Sequence, residues 1–401
     1  MNNNYLTKNN DQPKKSEVVI VGGGIVGAAC FYYLTQQGIQ VTLIEKNGLS
    51  MGTSRGGQGG VGYELEANDW EMLWYRSCFN EYQKILAEDF QIDVVSKGGL
   101  IIGDSEKEVE LLITLSNKLK DKKYPVKWID QKDLRDIEPN LSHHLSGAVY
   151  AKERIGVSSI KVASQLAKRA IEKGGKLCLH TELNDIELIN NKVNAVITSS
   201  GKISTSNIII AAGVWSRFIA QKIKLDLPVW PLKGHVMVTT PLFNMLNHYL
   251  SDIKYQFTEN QTLKANIGDS GPTDVEPQVA PVLQPLKAGP ILIGSSREFA
   301  NFDRSIVKKR LKELSQKAIN LIPKLSKVSI QKIYTGLRPW TPDSRPIIGE
   351  STMYRGIYFA TGHSGSGITG SLFTGKIISK LIRNKPMPFN MLPVQPDRFN
   401  I

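Results

Sequence analysis

Cysteine is scarce in this chain: Cys30, Cys78 and Cys178 are the only three in 401 residues. An odd, scattered set without a Cys-x-x-Cys pair excludes a disulfide framework and a cysteine metal or redox motif, and fits a reducing compartment. Long apolar runs are also missing. The longest, around 25–34 and 208–214, fall well short of the roughly 18 uninterrupted apolar residues that mark a membrane span. No transmembrane segment is expected, and the expected location is cytoplasmic or peripheral at the inner membrane surface. Residues 1–16, rich in Asn and Lys, lack the apolar centre of a secretory signal and read as a disordered tail. No internal repeat is present. What remains is ordinary: 41% hydrophobic and 22% charged residues describe a globular protein. Its length suits one very large domain or two ordinary ones, enough to enclose a sizeable ligand.

Lys and Arg outnumber Asp and Glu by 50 to 37, a net charge of +13. Such an excess suits an anionic substrate, a membrane surface or nucleic acid. The basic residues are spread along the chain, with short clusters only at 120–123 and 308–310, which is the pattern of a solvated surface. No aromatic-interleaved basic patch of the kind that binds nucleic acid is visible.

The run Val18-Val19-Ile20-Val21 is β-branched and meets glycines; a helical stretch over 25–37, closed by Gly38, and a second run Val41-Thr42-Leu43-Ile44 complete a βαβ unit. Spacing predicts further helices over 70–89, 107–120, 159–173, 306–321 and 371–382. Strands are expected at 100–102, 126–129, 176–179, 193–198, 208–210 and 356–360. The Gly/Pro-rich stretch 267–290 is long for a structureless connection and reads as a lid or docking segment.

Gly22-Gly23-Gly24-Ile25-Val26-Gly27 satisfies G-x-G-x-x-G and lies between a predicted strand and a predicted helix. Gly22 would permit the tight turn, Gly24 the approach of a pyrophosphate to the helix N-terminus, and Gly27 the close packing of helix on strand. Glu45 ends the second strand, where a carboxylate accepts hydrogen bonds from ribose hydroxyls and repels a 2′-phosphate. An adenosine diphosphate ligand is implied. Two further matches, beginning at Gly57 and Gly365, lack this context and read as flexible or close-packed loops. Downstream of Glu45-Lys46, Gly52-Thr53-Ser54-Arg55-Gly56-Gly57-Gln58-Gly59-Gly60 can wrap a second part of the same ligand.

This succession resembles the FAD-dependent oxidoreductases of the D-amino-acid oxidase superfamily, which includes glycine, sarcosine and opine oxidases. Ile209-Ile210-Ala211-Ala212-Gly213-Val214-Trp215-Ser216 and Pro231-Leu232-Lys233-Gly234-His235-Val236 are similar to its crossing strands. Gly336-Leu337-Arg338-Pro339 and the segment 356–370 are similar to its closing elements. Ile291-Leu292-Ile293-Gly294-Ser295-Ser296-Arg297-Glu298-Phe299 looks most like the flavoprotein subunits of opine oxidase, hydrogen cyanide synthase and dye-linked proline dehydrogenase.

The resemblance implies an α/β fold: a discontinuous Rossmann-type FAD-binding domain (17–90, 145–225, 330–385) interleaved with a mixed-sheet α+β substrate domain (91–144, 226–329), and a C-terminal tail from 386. It implies noncovalent FAD, since no cysteine follows Cys178. FAD would be held by Gly22, Gly24, Ile25, Val26, Gly27, Glu45, Lys46, Thr53, Ser54, Gly57, Gln58, Leu183, Ala212, Gly213, Trp215 and the turn Gly362-His363-Ser364-Gly365-Ser366-Gly367-Ile368. Arg338 matches the residue that binds the substrate carboxylate, for which a planar guanidinium is suited. His363 is placed to line the flavin or to act on a substrate proton, with a structural hydrogen-bonding role as the alternative.

The implied reaction is oxidation of the C–N bond of a small or N-substituted amino acid, with oxygen, a respiratory quinone or another subunit as electron acceptor and a hetero-oligomer as one possible assembly. A tRNA wobble-uridine modifying enzyme and a noncatalytic flavoprotein subunit are the alternatives. Two departures stand out. Gly365 occupies the position of a second carboxylate-binding Arg in glycine oxidase, and Gly156-Val157-Ser158-Ser159 lacks the His or Asp that accompanies a second flavin in related subunits.

Overall fold

The computed structural model describes residues 12–62, 68–88, 90–94, 98–268, 271–273 and 275–401. Two sheets organise it. The first runs Ile347–Glu350, Ile357–Thr361, Asn207–Ile210, Val18–Val21, Val41–Glu45, Lys176–Leu179, parallel except at the edge strand Ile347–Glu350. Side chains of a strand alternate between its faces, and here both faces are covered. Val18 and Ile20 pack with Phe31, Leu34 and Ile377 under the helices Ile25–Thr35 and Gly367–Ile382. Val19 and Val21 pack with Ile186, Val196 and Ile203 of a small antiparallel sheet, Leu183–Ile189, Lys192–Thr198 and Gly201–Ser204. Double burial is why the run is continuously β-branched.

The second sheet has eight strands in the order Ile330–Trp340, Trp230–Thr239, Ile291–Phe299, Gln278–Pro285, Tyr249–Asp252, Gly99–Ile102, Gly147–Ala151, Val126–Asp130. It is antiparallel except where Tyr249–Asp252 runs parallel to Gly99–Ile102. The helix Lys308–Leu321 covers one face, burying Leu314, Ala318 and Leu321 against Met237, Leu283 and Ile293. Among the described residues no helix is long and apolar enough to cross a membrane.

Several expectations need correction. Residues 145–151 and 330–340 were expected in the nucleotide domain, yet Gly147–Ala151 pairs with Gly99–Ile102 and Ile330–Trp340 with Trp230–Thr239, so hydrogen bonding assigns them to the second sheet. The stretch 267–290 is not a structureless connection: Gln278–Pro285 is an interior strand of the second sheet, and among the described residues Asn266–Gly268 pairs with Gly271–Thr273. Its Gly and Pro residues hid the strand. The helix expected from 371 starts at Gly367, and the helix Lys254–Thr262 was not anticipated.

Residues 386–401 are no loose tail, since Met391, Val394 and Ile401 are buried and Arg398 pairs with Asp343 at 2.7 Å. At the other end Ser16 is buried and its hydroxyl donates to the Val18 carbonyl at 2.9 Å. Residues 1–11 of the expected leading tail and Asp89 of the expected helix 70–89 lie outside the described residues.

Candidate active site

The glycine turn has the shape its sequence demands. Gly22 sits at φ +111°, and a Cβ there would lie 2.6 Å from the Ala211 carbonyl oxygen. At Gly27 a Cβ would lie 1.9 Å from the Gly22 oxygen, so helix Ile25–Thr35 and strand Val18–Val21 approach as only glycine allows. The open helix end is partly closed by Ser54, whose Oγ accepts from the Ile25 amide at 2.9 Å. Glu45 does more than end its strand: Oε2 accepts from the Gly23 amide at 2.7 Å and Oε1 from the Asn47 amide at 2.8 Å. It braces the turn.

A cavity of about 780 Å³ begins at this turn and continues between the two sheets, in the upper part of the roughly 300–1,000 Å³ range of small-ligand sites. Of the residues expected to hold the cofactor, Gly22, Gly24, Ile25, Val26, Glu45, Lys46, Thr53, Ser54, Gly57, Gln58, Leu183, Ala212, Gly213, Trp215, His363, Ser364, Gly365, Gly367 and Ile368 line it. Gly27, Gly362 and Ser366 do not. Gly27 serves packing, Gly362 turns the chain at φ +72°, and the Ser366 hydroxyl donates to the His363 carbonyl at 3.0 Å. Lys46, at the rim, pairs with Glu182 at 2.7 Å.

Two hydroxyls mark where a polar ligand fits. Thr53 Oγ1 and Ser364 Oγ are buried, line the cavity and have no hydrogen-bond partner among the described residues. A buried polar group without a partner is destabilising by roughly 1–3 kcal/mol, which a ligand acceptor would relieve. Ser364 is also held at φ +45°, and its amide donates to the Pro339 carbonyl at 2.9 Å, tying the closing loop to the Arg338 strand. The first turn of Gly367–Ile382 adds a helix N-terminus to the same wall.

Arg338 lines the cavity from the second sheet. Nη1 donates to the Ser296 carbonyl at 3.0 Å and Nη2 to Ser295 Oγ. His363 differs from a proton carrier: its side chain is buried, Nε2 bonds Thr374 Oγ1 at 2.9 Å, and burial pushes the imidazole pKa down to about 3. The neutral ring fixes the closing loop to the last helix, an environment that suits a structural or lining role rather than work on a substrate proton. Tyr249 and Tyr255 also line the cavity. Sequence reasoning missed both, and a lone tyrosine inside a predominantly apolar strand or a short polar helix carries no motif by which to find it.

A family model described as FAD dependent oxidoreductase (DAO) matches residues 17–381. Glycine oxidase of Geobacillus kaustophilus is 27% identical over 371 residues, 90% of this chain and 91% of that protein. A hydrogen cyanide synthase subunit of Pseudomonas protegens is 28% identical over 276 residues, 68% of this chain; the match spans 60% of that subunit's length. The solved L-proline dehydrogenase of P. horikoshii superposes with a TM-score of 0.83 at 25% identity, covering 97% of this chain and 98% of that one.

Proposed function

The chain belongs to the family of FAD-dependent oxidoreductases, and we propose that it oxidises the C–N bond of a small amino acid or N-substituted amino acid. FAD, when bound, accepts the hydride and so supplies the difficult step of the chemistry. The hydride would come from the substrate carbon next to nitrogen, whose lone pair would close the C=N bond of an iminium, and where that nitrogen still carries a proton its loss to water would leave the imine. Oxygen, a respiratory quinone or a second subunit then takes the electrons.

The residues of this chain bind and orient. Gly24 and Val26 of the opening turn and the Ser54 hydroxyl line the place for the pyrophosphate. Thr53 and Ser364 supply the two buried hydroxyls, and Glu45 keeps an acceptor position toward the ribose beside its two amide bonds. The N-terminus of Gly367–Ile382 favours negative charge developing nearby without reorganising. Arg338 holds the substrate carboxylate.

One observation carries the reading: a single cavity joins the braced glycine turn, the two unpartnered hydroxyls and the Arg338 guanidinium. None of the three cysteines lines it, which supports noncovalent FAD. The test is anaerobic reduction of the purified yellow protein across amino acids, N-methyl amino acids, proline and opines. At least one should bleach the flavin; a colourless protein that ignores added FAD, or a flavin no member of the panel reduces, overturns the proposal.

A further inference from the structure

The Arg338 guanidinium lies flat over Gly234, where a Cβ would come within 2.5 Å of Nη1 and 2.8 Å of the Ser296 carbonyl oxygen. Behind that carbonyl, on the face of the sheet away from the cavity, sits His235, fully buried. The Val307 amide donates to its Nε2 at 3.0 Å, so Nε2 is the acceptor and the ring proton resides on Nδ1. Nδ1 in turn faces Ser296 Oγ at 2.8 Å, and the His235 amide donates to the same oxygen at 3.1 Å. Ser296 thus receives two hydrogen bonds from His235 on one side of the strand and holds Arg338 by its carbonyl on the other.

We propose that His235, acting through Ser296, is a positioning residue that aims the Arg338 guanidinium across Gly234 and thereby sets affinity for the substrate carboxylate. This rests on the reading that Arg338 binds that carboxylate. The surroundings hold His235 in one state. Glu298 Oε1 lies 3.9 Å from Nδ1 and favours the charged ring, while burial outweighs it and Lys233, Arg310 and Arg338 add to burial, keeping the imidazole below its ordinary range. Lys233 pairs with Glu298 at 3.1 Å and donates to Asp303 at 3.0 Å, and Arg310 Nε approaches Glu298 Oε2 at 3.6 Å, so two cations share the charge of the carboxylate nearest the ring, although its Oε1 accepts no hydrogen bond among the described residues. A neutral ring with a fixed tautomer delivers a directional N–H to Ser296.

The test uses the FAD-loaded protein and two readouts. One is binding of propionate, an unreactive carboxylate, followed by the shift of the flavin absorption spectrum. The other is the separate effect on KM and kcat for the reducing amino acid. His235→Leu should raise the propionate Kd and KM at least tenfold while kcat changes by less than about threefold. His235→Asn, which can offer an N–H toward Ser296 Oγ, should recover most of the affinity. A Leu variant that binds propionate within twofold of wild type overturns the proposal. Should it not fold, Gly234→Ala probes the seat from the cavity side, since the added methyl displaces the guanidinium; an unchanged propionate Kd there is equally fatal. Arg338→Ala separates the two layers: if it too leaves propionate binding unchanged, the carboxylate reading itself falls.

Discussion

Replacing Gly27 with alanine sets two magnitudes against each other. In the interior of an exposed helix the change would stabilise by about 1 kcal/mol through backbone propensity. Here the new Cβ would stand 1.9 Å from the Gly22 carbonyl oxygen, well inside contact distance, and because that obstacle is backbone there is no flexible side chain to give way. Overpacking of this kind is destabilising by about 1–3 kcal/mol or more, so the contact wins, and the helix start must move off the turn that faces the pyrophosphate. The variant is expected to emerge from desalting with little bound flavin and with a melting temperature lower by about 1–4 °C. The assays are the 450 nm to 280 nm absorbance ratio and thermal denaturation with and without added FAD. Gly38→Ala is the control: it sits at φ +73° with no atom within 4 Å of its missing Cβ, so it should lose about 1 kcal/mol from backbone strain yet retain flavin. A Gly27→Ala protein that stays yellow and melts higher than wild type would refute the reasoning.

Thr53→Val should act with opposite signs: the FAD-free protein gains stability because a buried unpartnered hydroxyl is gone, whereas FAD binds up to about tenfold more weakly by titration, the worth of one hydrogen bond. Arg338→Lys keeps the charge and loses the fork, and kcat/KM from steady-state kinetics should fall roughly 10- to 100-fold; a change below threefold would argue against carboxylate binding. Burial raises the Asp252 carboxyl pKa to about 6, with Asp104 and Glu108 adding to it and the Lys254 amide and charge opposing. The folded state therefore keeps its proton longer than the unfolded chain, whose Asp titrates near 3.9. Its stabilising effect is full below about pH 4 and is lost as pH rises through about 6, a change on the order of 2–3 kcal/mol. Chemical denaturation of Asp252→Asn should show a shallower decline between pH 4 and 6.5 and greater stability at pH 8; parallel curves would exclude the effect.

What was legible in the sequence follows from how locally each feature is specified. The opening βαβ unit is written in adjacent residues, a doubly buried strand and a turn that only glycine tolerates, so its position and purpose could both be read. The strand Gln278–Pro285 was hidden because its signals depend on partners distant in sequence: Leu250 and Ile293 on either side define it, not its own Pro281 and Pro285. The domain boundaries failed at Gly147–Ala151 and Ile330–Trp340 for the same reason, since a strand's sheet is decided by its neighbours. At the site, Arg338 was found through a motif, while Tyr249 and His235 occupy places that only the pairing of strands brings to or behind the cavity, and Tyr255 reaches it from the helix that follows the Tyr249 strand. His363 lines the cavity, but burial decides its chemistry, and burial is a property of the whole fold.

The nucleotide-binding sheet inserts Asn207–Ile210 between Val18–Val21 and Ile357–Thr361. At translation speeds of roughly 5–20 residues per second, the opening strand emerges about 20 to 70 s before the last of its parallel companions. The partner of Asn207–Ile210 on its outer side is thus the last parallel strand to be made. Ala360 and Thr361 of that strand line the cavity, so the place for the flavin is complete only once the late strand has docked.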